Sequence, residues 1–182
     1  AATQFEATDA RRAFVCVDEP DAKAIFQAAL KVPDHLTALS NMPVIKQTRD
    51  KHSGKKTIFY QTTPVMSTYL LCFVIAELEC LKGKDANGVP IGVWTTPGKK
   101  EQGRFALEVA QHTLPYFADW FGIPYSLPKL DMVALPDFAS GAMENWGLVT
   151  YRETALLVDS KNSSASAQQR VAEVIDHELA HQ

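Results

Sequence analysis

Cysteine is scarce in this sequence: Cys16, Cys72 and Cys80 are an odd number with no CxxC spacing. That excludes a disulfide framework and a cysteine-built zinc site. Cys72 and Cys80 flank an apolar run and read as buried packing thiols, which favours a reducing, cytoplasmic setting. Positive charge is also in short supply. Eighteen Lys and Arg against 21 Asp and Glu leave a formal net charge of -3. The basic stripe that nucleic-acid binding needs is missing, so nucleic acid is not an expected partner. No apolar run approaches the roughly 20 residues of a membrane span. The strongest, "YLLCFVIA" at 69–76, is predicted as a buried strand. An initiator Met and a charged-then-apolar leader are absent too, and the expectation is a portion of a longer protein.

What is present is globular. A hydrophobic content of 46% over 182 residues suffices for one substantial core or two modest ones. Up to about residue 80, strand-like segments such as "KTIFYQTT" alternate with Pro33, Pro43, Pro64 and an "HSGKK" turn, which predicts an antiparallel β domain. "DANG" at 85–88 is a strong hairpin signal, and the domain junction is set beside it, between 1–82 and 83–182. Beyond Gly98 the apolar period becomes helical, predicting a helix over 100–121 that stops before Gly122 and Pro124. "WGLVTYRETALLV" reads as a strand or strand pair. "NSS" at Asn162 is a glycosylation acceptor only in a secreted protein.

The closing segment "VIDHELAHQ" carries His-Glu-x-x-His. A helix is predicted from near Ser166, with Ser166 as cap and Gln169 completing a capping box. Val171, Val174, Ile175 and Leu179 form its apolar stripe. Histidines four apart stand one turn above each other, so His177 and His181 can meet one zinc ion, and Glu178 lies between them and the stripe. Zinc lowers the pKa of bound water to about 7, and an adjacent carboxylate can take its proton and pass it on. The competing reading is an ordinary helix with two half-exposed histidines, since HExxH arises by chance on the order of once in a few hundred chains. Upstream, "GAMENWG" sets Gly141 and Glu144 beside an apolar wall of Met143 and Trp146. Taken alone, that segment is more often a turn packed on a core.

Together "GAMENWG" and "HELAHQ" resemble the aminopeptidase N family of zinc exopeptidases, the gluzincins. "TQFEATDARRAF", "DEPDAKA", "TTPVMSTYLL" and "PYSLPKLDMVALPDF" extend the likeness over nearly the whole chain. "NWGLVTYRETALL" and "EQGRFALEVAQHTLPYF" are especially similar to the puromycin-sensitive branch. The resemblance implies an α+β fold, with a saddle-like antiparallel β domain before a thermolysin-like zinc peptidase domain. It implies that His177 and His181 bind Zn2+ and that Glu178 is the general base. Glu144 is implied to hold the free α-ammonium of a peptide substrate, with Gly141, Ala142, Met143 and Asn145 around it. Glu6 is implied as a second amine anchor, and Gln4 and Met143 as neighbours of the pocket for the first side chain. The implied partners are peptides with a free N-terminus, losing one residue at a time.

Three departures qualify the resemblance. Asp176 stands where relatives commonly carry a neutral residue, and either raises the basicity of His177 or of zinc-bound water, or is solvated and inert. Val15 and Val17 replace a proline and an aromatic residue, expected as a packing variation. The family's third zinc ligand and its transition-state tyrosine follow "HELAHQ", so the 182 residues alone are expected to be inactive. A non-catalytic peptide-binding protein is the alternative from another class. The related epoxide hydrolase branch calls for "GGMEN", and Ala142 stands against it.

Overall fold

In the computed structural model, which describes residues 1–182, the strand-like segments of the first 77 positions assemble into antiparallel sheets. The strands are β1 (Ala29–Pro33), β2 (Thr37–Ser40), β3 (Val44–Asp50), β4 (Lys55–Tyr60) and β5 (Phe73–Ala76). β4 lies between β1 and β3, while β2 pairs with β5, every pairing antiparallel. The apolar run at 69–76 is not one strand. Thr68–Leu70 forms a 3-10 turn, and only Phe73–Ala76 is extended. Buried Asn41 explains the break, since its amide donates to the Leu70 carbonyl at 2.7 Å and its oxygen accepts from Cys72 N at 2.9 Å. A side chain thereby satisfies buried backbone that a ladder would otherwise have to pair. Val15 and Val17 are both exposed, so a packing variation does not account for them, and nothing in the structure explains these two substitutions.

The chain divides into Ala1–Glu77 and Leu78–Gln182, five residues ahead of the expected junction (77 against 82). The reason is pairing. β6 (Glu79–Lys84) runs antiparallel to β7 (Pro90–Thr95), which ties it to the second unit. The "DANG" hairpin between them forms as its chemistry predicts: Asp85 Oδ1 accepts from Val89 N at 2.7 Å. Gly88 takes a positive φ of 87° there, a conformation that disfavours any residue with a Cβ. Cys72 is fully buried as expected, but Cys80 on β6 is only half-buried, and partial burial with Asp131 nearby pushes its thiol up to about 11.

The rest of the second unit is α1 (Arg104–Phe121), β8 (Leu130–Leu135), β9 (Ala142–Met143), β10 (Leu148–Arg152) and α2 (Ala165–Ala180). The sheet order is β6-β7-β8-β10-β9. β7, β8 and β10 are parallel neighbours, and β6 and β9 are antiparallel edges. Parallel neighbours require a crossover, and α1 supplies it between β7 and β8. A 3-10 turn at Lys100–Gly103 leads into α1, which continues through Pro115 and stops at Gly122, whose φ is 66°. The segment predicted as a strand or strand pair is one strand, β10, followed by a 3-10 turn at Glu153–Ala155.

Both helices cover the sheet with apolar faces. Ala106, Leu114, Met132, Val149, Ile175 and Leu179 belong to one buried cluster, where each large side chain contributes about 1.5–3 kcal/mol. The fold class is α+β, and no helix is long and apolar enough to cross a membrane.

Candidate functional site

α2 begins at Ala165, one residue earlier than predicted, and its cap is Ser164, not Ser166. Extended at ψ 161°, Ser164 accepts from Ala167 N through Oγ at 3.2 Å. Gln169, expected to close a capping box, instead donates to Glu173 one turn on, at 2.9 Å. The predicted stripe of Val171, Val174, Ile175 and Leu179 is buried. Periodicity then fixes the other face. His177 and His181 are exposed, and Glu178 between them and the core is 5% exposed.

The two imidazoles approach with Nε2 atoms 3.3 Å apart. Nitrogens about 2.0–2.1 Å from one tetrahedral zinc ion lie about 3.3–3.4 Å from each other, so the pair fits two corners of such a site. No third His, Cys, Asp or Glu groups with them in this chain. Asp176 is half-buried and engaged by the neighbouring helix. Its Oδ1 accepts from the Thr113 hydroxyl at 2.6 Å, joining α2 to α1. Tyr151 on β10 is wholly buried beside the helix, and its hydroxyl finds no partner among protein groups. Burial first, then the Glu178 and Asp176 carboxylates, hold that phenol well above its ordinary range.

Residues 141–147 form the second half of the site. Ala142 and Met143 are β9, paired with Tyr151 and Thr150 of β10, so this segment begins as the sheet's edge. An edge strand leaves one row of backbone donors and acceptors open to an extended peptide. Gly141 is exposed, and a Cβ built there meets nothing within 4 Å. The side chain of Glu144 is half-buried. Met143 and Asn145, taken as substrate contacts, have their side chains turned inward, and neither is more than 1% exposed. Asn145 Nδ2 donates to Thr150 Oγ1 at 3.2 Å, which makes it a brace of the loop. In the first unit, Gln4 is half-buried and Glu6 exposed, with the Glu6–Ala7 peptide cis.

Two residues missed in the sequence connect these parts. Gln182 donates through Nε2 to the Glu144 carbonyl at 3.0 Å and accepts at Oε1 from Gly147 N at 2.9 Å. Lys129 donates to the Gly147 carbonyl at 2.7 Å and pairs with Asp131 at 2.7 Å, both side chains being largely buried. The one available signal for Gln182 is its place four residues after Glu178, which puts both on one helix face. Lys129 carries no such signal.

Comparison with known proteins finds two family models along the chain. The Peptidase M1 N-terminal domain model matches residues 1–70, and the Peptidase family M1 domain model matches residues 105–182. Aminopeptidase M1-B of Oryza sativa subsp. japonica is 57% identical over 182 residues, covering all of this chain and 21% of that protein. Alanine/arginine aminopeptidase of Saccharomyces cerevisiae is 53% identical, again over the whole chain and 21% of that protein. Puromycin-sensitive aminopeptidase of Caenorhabditis elegans is 51% identical over the whole chain and 19% of its own length. The chain thus spans about a fifth of the curated relatives it matches.

Proposed function

This chain belongs to peptidase family M1, and from that premise we propose that it forms the metal-binding and amine-recognising part of a zinc aminopeptidase. The observation that carries the proposal is the 3.3 Å separation of the His177 and His181 Nε2 atoms, next to a loop bearing Glu144. Zinc held by those nitrogens would supply Lewis acidity and a water-derived nucleophile at neutral pH. The chain's own residues do the rest. Glu178 takes a proton from the attacking water and delivers it to the departing amine nitrogen.

Glu144 receives the substrate's free α-ammonium, in charge-assisted hydrogen bonds of about 1.5–3 kcal/mol. A blocked N-terminus would desolvate that carboxylate without pairing it, and this penalty selects terminal over internal cleavage. The outer edge of β9, with Gly141 and Ala142, offers backbone groups to the first peptide unit. Met143 and Asn145 serve by shaping the loop. Roles for Gln4 and Glu6 rest on the family likeness of the "TQFEA" segment. A reducing compartment is in keeping with three free cysteines. With two grouped metal-binding side chains and no third, the 182 residues on their own are expected to hold zinc weakly and to hydrolyse nothing.

The test uses full-length protein containing this chain. Glu178→Ala is expected to retain zinc, by elemental analysis, and to lose turnover on an aminoacyl anilide a hundredfold or more. Retention of more than a few per cent of the rate sinks the proposal. Glu144→Ala is expected to lower the preference for free-amine over N-acetylated substrates about tenfold or more. Full zinc occupancy with no turnover in the unsubstituted protein would transfer the site to a non-catalytic peptide-binding role.

A further inference from the structure

A carboxamide has a donor and an acceptor side by side, and Gln182 uses both on one loop. Its Nε2 meets the Glu144 carbonyl at 3.0 Å, and its Oε1 meets the Gly147 amide at 2.9 Å. Gly147, with φ 71°, is gripped from the other side as well. Its carbonyl accepts from Lys129 Nζ at 2.7 Å and from Asp131 N at 3.0 Å. Between these grips, Leu148 N closes a turn onto the Asn145 carbonyl at 3.0 Å. The loop therefore has a fixed face toward the sheet, through Lys129, and a fixed face toward α2, through Gln182.

We infer that Gln182 is a positioning residue that sets the distance between the amine-holding carboxylate of Glu144 and the metal-holding nitrogens of His177 and His181. This rests on the aminopeptidase reading of the same site. Gln182 directly follows His181, and it bonds the backbone carbonyl of Glu144 itself. Any shift of the helix end is thereby passed to the residue that holds the amine. An aminopeptidase must place the first peptide carbonyl one residue's length from the ammonium, and that spacing is the quantity Gln182 registers.

The alternatives to glutamine at this position are chemically distinct. Methionine keeps the length and loses both hydrogen bonds. Glutamate keeps the acceptor toward Gly147 and turns a negative oxygen on the Glu144 carbonyl. Neither removes a metal ligand, so the metal end of the ruler stays in place while its connection to the amine end is cut.

The experiment compares two inhibitors of the full-length enzyme that share a metal-binding group, an amino-acid hydroxamate and its N-acetylated form. Their ratio of inhibition constants reads the amine contribution separately from the metal contribution. Gln182→Met and Gln182→Glu are each expected to reduce that ratio about tenfold or more, with zinc content unchanged and the N-acetyl hydroxamate bound within twofold of wild type. In the Glu144→Ala background, Gln182→Met is expected to lower the ratio no further. A ratio within twofold of wild type in both Gln182 variants overturns the inference. So does a parallel loss for both inhibitors, which would mean general damage to the metal site. An unchanged ratio in Glu144→Ala alone rejects the amine reading itself, whereas a ratio lost in Glu144→Ala and kept in the Gln182 variants rejects only the positioning role.

Discussion

The helix end at 177–181 and the loop at 141–147 are joined through Gln182 and are organised in different ways. On α2 the backbone repeat alone stacks His177 over His181, and 3.3 Å between nitrogens follows from residues four apart on one helix. The loop has two residues of strand, one glycine at positive φ, and no repeat. Its shape comes from partners far away in the chain: Asn145 with Thr150, Gly147 with Lys129, and both Glu144 and Gly147 with Gln182. A histidine pair can thus be set by a local repeat, whereas a loop without one takes its shape from partners elsewhere in the chain.

Three substitutions would break or sharpen that contrast. Lys129→Met is expected to have the largest effect on stability, since it leaves the carboxylate of Asp131, with only Trp94 Nε1 still donating to it at 2.7 Å, without its cation. Removing one partner of a buried pair costs about 3–5 kcal/mol. A denaturant midpoint indicating under about 1 kcal/mol, by the same rule, would mean that the loop does not depend on its sheet-side grip. Ser164→Ala should cost about 1 kcal/mol by loss of the helix cap. Zinc occupancy in full-length protein should stay the same, because the imidazoles lie three turns away. A clear fall in occupancy would show that helical periodicity is not enough to hold the pair. Thr113→Val should be mildest, at about 0.5–1 kcal/mol, since half-buried Asp176 can exchange the hydroxyl for water. Turnover should be unaffected. If turnover falls, the α1 contact is part of how α2 presents its histidines.

Much of this contrast can be read in the sequence, but unevenly. The stripe of Val171, Val174, Ile175 and Leu179 has helical period, so the buried face of α2 and the exposed side of its histidines follow directly. The cap was displaced because Ser164 and Ser166 are equally good oxygen acceptors at a helix start, and tertiary fit chooses between them. The strand predicted over 69–76 failed because composition reports burial while pairing reports conformation. Asn41, about thirty residues earlier, satisfies the backbone there. Motif letters also suggested that "GAMEN" faces substrate throughout, yet a loop on a sheet edge alternates, and Met143 and Asn145 turn inward.

By itself the sequence determined the two helices, the hairpin at "DANG" and the pairing of His177 with His181, because each depends on contacts within a few residues. Only the tertiary structure decided that Asp176 binds Thr113, and that Gln182 and Lys129 hold the acidic loop between them. Those contacts join residues 18 to 63 positions apart. No local periodicity encodes such pairs, and they form only once the helix has packed on the sheet and removed competing water from the polar groups involved.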